Sequence, residues 1–328
     1  MATSTTTQVA APIDFYDRTT LTRALPYLTH DKFGQRRPLP TNNSKNIKFR
    51  RYNALAVATT ALTEGTPPTS TTLAVTDISA TIAQYGAFVQ GTDVVSMTNI
   101  DSVLTETAEV LGEQAGQSLD QVYRDILAAG TNVAYANGVA SRVTVLTNIL
   151  TAADLDKAIR NLNNNNAKMF TEIIKAGTGV GTQPIRPAYM AIVHPDVQYT
   201  LDGITGFKSV ETYASQGPVV DGEIGAYKNI RFVSSTFAKV FAGLGGTNST
   251  VKNTAGAVDV YATMIFGKDA YGVCELRGNG LKNIVKELGS AGTADPLNQN
   301  WTSGWKATTT CKILNDSFML RLETAAAL

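Results

Sequence analysis

Apart from its carboxylates, lysines and tyrosines, this 328-residue chain offers two histidines and two cysteines for acid–base, thiol or metal chemistry. His30 and His194 stand in unlike contexts, and nothing in their settings points to a catalytic dyad. The tripeptide His194-Pro195-Asp196 follows a strand-like AYMAIV and reads as a helix-entry turn. Gly177-Thr178-Gly179-Val180-Gly181 has the glycines of a phosphate-cradling loop but lacks its spacing, preceding strand and following helix. No glycine-rich loop continues into Gly-Lys-Ser/Thr, and no serine sits in a G-x-S-x-G elbow. Cys274 and Cys311 are too few for a disulfide framework or metal cluster, and read as small buried apolar residues. The carboxylates lack the paired spacing of a two-metal site. The aromatics are not interleaved with Lys or Arg as in single-strand nucleic-acid binders. The sequence therefore predicts no enzyme, no cofactor and no metal.

Charge is where a pattern does form. Arg18, Arg23, Lys32, Arg36, Arg37, Lys45, Lys48, Arg50 and Arg51 are opposed only by Asp31, so residues 18–51 form a strongly basic stretch. Pro26, Pro38 and Pro40 keep it extended, and Phe15, Tyr16, Leu21, Leu25 and Phe33 give it apolar tags for docking on a neighbouring surface. An acidic helix is predicted from Thr98 or Asn99 to Ala129. Ile100, Leu104, Ala108, Leu111, Ala115, Leu119, Val122 and Ile126 form its apolar stripe. Asp101 suits its first turn and Gly130 ends it. Its polar faces carry Asp101, Glu106, Glu109, Glu113, Asp120 and Asp125 against Arg124 alone. A basic arm and an acidic helix in one chain favour an interaction role over a merely solvated face.

The elements around these charges are legible to different degrees. Residues 54–76 read as a hairpin about the turn Glu64-Gly65-Thr66-Pro67-Pro68, with so little apolar surface that it suits another subunit better than its own chain. Ile78 to Val89 reads as one strand with Ile78, Ala80, Ile82, Gln84, Gly86 and Phe88 on one side. A second helix is expected over Leu150–Asn166, a loop over Gly177–Pro187 and a buried strand over Tyr189–Val193. A turn cluster at Gly217–Gly225 precedes a strand at Ile230–Ser234, and Phe241–Gly256 reads as a surface insertion. Strands resume at Val258–Phe266. The last long strand places Trp305, Ala307, Thr309, Cys311 and Ile313 on one face, before Phe318, Leu320 and Leu322.

Bulk properties bound the partners. The net charge of +1 gives no global field for nucleic acid. Charged residues make up 17% of the chain, below the roughly 25% of an average domain, which suits equally a surface covered by copies of itself and a secreted or β-rich protein with a Thr/Asn surface. The opening residues lack the pattern of a secretory leader, and no apolar run approaches the ~20 residues of a membrane span. The expected setting is a cytoplasm, away from membranes.

Five blocks carry a resemblance. They are YGAFVQGTDVVSMTNID from Tyr85, HPDVQYTLDG from His194, GEIGAYKNIRFVSST from Gly222, DVYATMIFGKDAYG from Asp259, and ADPLNQNWTSGWKATTTCKILNDSFMLRLETA from Ala294. In this order they resemble the major capsid proteins of tailed bacteriophages, in particular the family typified by phage N4. The resemblance implies an α+β, HK97-like capsid fold. It would comprise an N-terminal arm (1–50), an extended hairpin loop (51–77) and a peripheral domain (78–145 and 275–328) with a spine helix at 99–129. An axial domain would take 146–274.

The function it implies is structural. Copies would assemble as hexamers and pentamers into an icosahedral shell around double-stranded DNA, with portal, scaffolding and possibly decoration proteins as further partners. Such a protein would reside in the virion after assembly in the host cytoplasm. In this setting Arg36, Arg37, Arg50 and Arg51 are expected to meet Glu106, Glu109 or Glu113 of a neighbour's helix. The alternatives are an encapsulin-like nanocompartment shell and, more remotely, a secreted Thr/Asn-rich adhesin.

Overall fold

The computed structural model describes residues 28–328 apart from 43, 54, 63, 66, 99–102, 175–181, 213–218, 279 and 291–294. The start of the predicted long helix with Ile100 and Asp101, the glycines at 177–181, and Arg18 and Arg23 of the basic stretch lie outside these residues.

The first half of the chain contains β1 (Gln35–Arg36), β2 (Asn46–Tyr52), β3 (Val75–Thr81), β4 (Ala83–Thr92), α1 (Asp93–Thr98), α2 (Val103–Ala128), β5 (Val133–Tyr135) and α3 (Ala152–Asn164). It continues with β6 (Phe170–Ile174), β7 (Thr182–Val193), α4 (Pro195–Asp202), β8 (Phe207–Ser209), β9 (Glu223–Tyr227) and β10 (Ile230–Ser234). Short strands β11 (Val240–Phe241), β12 (Asn253–Thr254) and β13 (Ala257–Val258) follow. The longer strands β14 (Val260–Phe266), β15 (Tyr271–Glu275), β16 (Leu281–Lys286), β17 (Asn300–Ile313) and β18 (Met319–Thr324) come last.

Two sheets organise the molecule. In the five-stranded sheet β17 pairs with β15 and β16 along one side and with β4 along the other, and β1 adds to β15 in parallel. The β17–β4 register runs from Asn300↔Thr92 to Thr309↔Ala83. Alternation in β17 buries Trp301, Ser303, Trp305, Ala307, Thr309 and Cys311 and leaves Lys306 and Lys312 exposed. The buried face receives α2, whose Leu111, Ala115, Leu119, Tyr123 and Leu127 return to one side every turn.

The nine-stranded sheet runs β5-β18-β14-β7-β10-β9-β8, with β11 on β14 and β6 on β7. Both of its faces are covered. Met190 and Ile192 of β7 join the core beneath α2, while Tyr189, Ala191 and Val193 face a second core with Leu155, Leu162 and Leu201 of α3 and α4. A strand covered on both faces has no polar register, which is why AYMAIV is uniformly apolar. Thr151 caps α3 by accepting from the Asp154 N–H, and His194 does the same for α4 from the Asp196 N–H.

The structure corrects several expectations. Ile78–Val89 is two strands, because the chain leaves the β2–β3 ladder at Ile82 and enters the β17 ladder at Ala83. The change of partner re-aims the side chains: Tyr85 and Ala87 of β4 pack on the core and Phe88 is 71% exposed. The hairpin exists, but its paired stem is Asn46–Tyr52 with Val75–Thr81, and no described residue of 53–74 is in a strand. The expected loop over Gly177–Pro187 gives way to strand from Thr182, because β7 extends to pair with β6. The chain returns to the five-stranded sheet at Tyr271, and Met319–Thr324 lies in the nine-stranded sheet, so the C-terminal part crosses between sheets at residues 267–270 and 314–318.

Candidate assembly surface

The residues with the greatest capacity for chemistry are used as structure. His30 is fully buried, with Nδ1 2.8 Å from Asp120 Oδ2 on α2. The backbone N–H groups of Thr29 and His30 both donate to Asp120 Oδ1 at 2.8 Å, and the Tyr271 hydroxyl donates to the His30 carbonyl at 2.6 Å. The sequence predicts Asp120 on the acidic polar face of the helix; in the structure it is buried because it receives this crossing chain. Asp31 beside it is buried and paired with Arg36. Burial pushes the Asp31 carboxyl up to about 6 against the pull of Arg36, with Glu275 and Asp120 adding to the push.

His194 lies far from this cluster, capping α4 and tilted against Tyr261 at 5.1 Å between ring centroids. Cys274 and Cys311 sit on neighbouring strands but opposite Thr310 and Val273 respectively, so they occupy opposite faces of the sheet and remain free thiols. No group of three His, Cys, Asp or Glu among the described residues could hold a metal ion. No helix among them is long and apolar enough to cross a membrane.

Three of the four arginines singled out by sequence gather at the hairpin base, and the fourth, Arg36, pairs with Asp31. Arg37, Arg50 and Arg51 line a cleft of about 930 Å3 together with Lys48 and Lys168. Arg36 pairs with Asp31, Arg50 pairs with Asp77 across the hairpin at 3.0 Å, and Arg51 donates to the Leu314 carbonyl at 3.4 Å. None of them pairs with Glu106, Glu109 or Glu113 of its own chain. Glu106 is exposed on α2, and Glu109 and Glu113 are half-buried. Beyond the stem, Leu55, Val57, Leu62 and Leu73 project from the hairpin, with Val57 85% exposed.

Sequence reasoning missed the interior ion pairs. Glu323 of β18 is wholly buried and accepts from Arg142 at two 2.7 Å contacts and from Arg321 Nε at 2.8 Å. Arg321 also donates to the Ala128 and Gly130 carbonyls, where α2 leaves acceptors without helical donors. One side chain thus ties the end of the long helix to the nine-stranded sheet. The alternation Met-Leu-Arg-Leu-Glu-Thr held the signal, since Arg321 and Glu323 share one face of the strand.

A family model described as phage capsid protein matches residues 74–313. No curated protein matches the chain. The structure is similar to the capsid of Ralstonia phage GP4, at 13% identity and a TM-score of 0.66 over 92% of this chain and 89% of that one. It is similar to the head structure of Helicobacter pylori bacteriophage KHP40, at 13% identity and 0.63 over 90% and 88%. The holo-SrpI encapsulin of Synechococcus elongatus PCC 7942 also aligns, at 10% identity and 0.53 over 99% and 92%.

Proposed function

This chain belongs to the phage capsid protein family, and from that we propose that it is the repeating subunit of an icosahedral shell enclosing double-stranded DNA. The fold is the HK97-like α+β capsid fold. Copies would meet as hexamers and pentamers, with portal, scaffolding and possibly decoration proteins as further partners. The setting would be the virion after assembly in the host cytoplasm, and the role structural rather than enzymatic.

The observation that carries this reading is the family match to residues 74–313 joined to a surface unsuited to a lone monomer. Beyond the two-stranded stem, the described residues of 53–74 expose Leu55, Val57, Leu62 and Leu73, and none of them joins a buried core. Repeated heterologous contacts close a shell when their rotation closes, and each can be modest because many act together. The encapsulin reading shares the fold, but the family model is that of phage capsids.

We assign the arm to 1–50, the extended hairpin to 51–77, the peripheral domain to 78–145 with 275–328, and the axial domain to 146–274. We further assign β15 to the peripheral part and β18 to the axial part, a reading supported by their pairing in the five-stranded and nine-stranded sheets respectively. Arg36, Arg37, Arg50 and Arg51 are proposed to face Glu106, Glu109 or Glu113 of a neighbour, where an exposed pair contributes only ~0.2–1 kcal/mol.

Negative-stain electron microscopy of the protein, expressed alone and with its neighbouring genes, tests the proposal. Closed shells, hexamers or pentamers are expected. A stable monomer under both conditions would overturn it.

A further inference from the structure

A strand at the edge of a sheet presents a row of unpaired amide and carbonyl groups, and proteins blunt such edges with charge, proline or a bulge. Several edges of this molecule follow that rule. β1 runs on into Pro38 and Pro40, and β2 carries Lys48, Arg50 and Arg51. β16 carries Lys286 and Lys282, the latter directly opposite Lys306. β4 does not follow it. Its ten residues, AQYGAFVQGT, hold neither a charge nor a proline, and they pair with β17 in an unbroken register.

One residue of β17 fixes the direction of the main-chain groups. Thr308 donates to the Gly280 carbonyl and accepts from the Leu276 N–H, so its main chain turns away from β4. Its partner Gln84 therefore turns away from β17, and so do Gly86, Phe88 and Gln90, every second residue along the strand. Among the described residues no donor or acceptor reaches the main chain of these four. The edge thus offers a donor and an acceptor at each of them, over about 20 Å.

The side chains along this edge are apolar on both faces of the sheet. Phe88 is exposed on the face opposite α2, and Val89 is exposed on the α2 face, where Ala87 packs on the core. Immediately beyond the strand, α1 exposes Val94, Val95 and Met97. An uncharged strand lying antiparallel to its own copy meets no like charge, and facing aromatic residues stabilise such a pair. Resting on the capsid reading above, we propose that β4 pairs with β4 of a second copy about a two-fold axis between their Phe88 residues, joining two five-stranded sheets into one. Gly86 then faces Gln90 of the second copy, and on the α2 face Val89 covers Ala87 of the second copy. α1 of each subunit lies beside the start of the other's β4. The contact is isologous, whereas a ring of subunits is built from heterologous ones, so it joins one capsomer to the next.

Charge at a single position tests the contact. Phe88→Lys and Phe88→Glu each set like charges against each other across the seam. Each alone should lower shell yield about tenfold, because the loss recurs at every contact. Residue 88 turns away from β17, so the far-UV circular dichroism of both variants should match the unsubstituted chain. Co-expressed, the two should raise the yield several-fold above either alone, which requires residue 88 to meet residue 88. Undiminished yield from either variant, or no gain on co-expression, would overturn the contact. Position is read separately in assembled shells with a short bis-maleimide reagent; Cys274 and Cys311 are buried. Phe88→Cys should give covalent dimers. Gln84→Cys, on the same edge but about 27 Å from its copy in this register, should not. Dimers from neither variant, as when a foreign strand occupies the edge, or from both alike would also overturn the contact. Failure of the unsubstituted chain to form shells or capsomers would instead remove the capsid reading, and this contact with it.

Discussion

His30 Nδ1 lies 2.8 Å from Asp120 Oδ2, and both side chains are wholly buried. The pair joins the segment around Thr29 and His30 to the middle of the long helix, and the Thr29 and His30 amides complete the carboxylate's shell. Asp120→Ala leaves two backbone donors and an imidazole without their acceptor. A loss on the order of 3–5 kcal/mol is expected, with protease cleavage near Leu28 appearing before global unfolding. Unchanged urea unfolding and unchanged cleavage would show that the pair anchors nothing.

Asp31 gives the same region a pH dependence. Its folded pKa is raised to about 6 from 3.8, so the folded state binds the proton more tightly than the unfolded chain. Stability from this group is therefore greatest below about pH 4, falls as pH rises through 4 to 6, and is flat above. The change is at most about 3 kcal/mol. Asp31→Asn should remove this slope while leaving Arg36, Glu275 and Asp120 in place. Parallel urea-unfolding curves for both proteins between pH 4 and 7 would refute the assignment.

Glu323 holds two guanidinium groups in the interior, so Glu323→Gln should cost more than a surface substitution. We expect a loss of about 3–5 kcal/mol in urea unfolding, with the end of α2 loosened because Arg321 also donates to the Ala128 and Gly130 carbonyls. Faster amide exchange at residues 126–131 would report the second effect separately.

Gly86 admits no side chain. A Cβ there would lie 2.6 Å from the Trp305 carbonyl oxygen, a backbone atom with no freedom to swing away. Gly86→Ala should weaken the β4–β17 pairing by roughly 1–3 kcal/mol. A stability equal to that of the unsubstituted chain would contradict the close approach of the strands.

What the sequence disclosed and what it hid follow from the range of the interactions involved. The stripe of α2 and the alternation of β17 were legible because each repeats within one element, as did the apolar run at Tyr189–Val193. The arginine cluster at the hairpin base was also legible as a run of charge. Asp120 was hidden, because its charge reads as solvent-facing until residues 28–31 cross it. The outward turn of Phe88 was hidden by the change of pairing partner at Ile82, which local alternation cannot register. The opposed lysines 282 and 306 depend on a register between strands that only the folded sheet reveals.

The place of β18 bears on the order of events at the ribosome. It lies between β5 and β14, and its Arg321 reaches an acceptor 193 positions earlier in the chain. Until residues 319–324 have been made, β5 has no strand beside it and β14 keeps an open edge. A nascent subunit therefore cannot finish its larger sheet early, and such long-range closure is slow. Polysomes bearing partial chains would carry no completed building block, which separates translation from assembly in time without any added regulator.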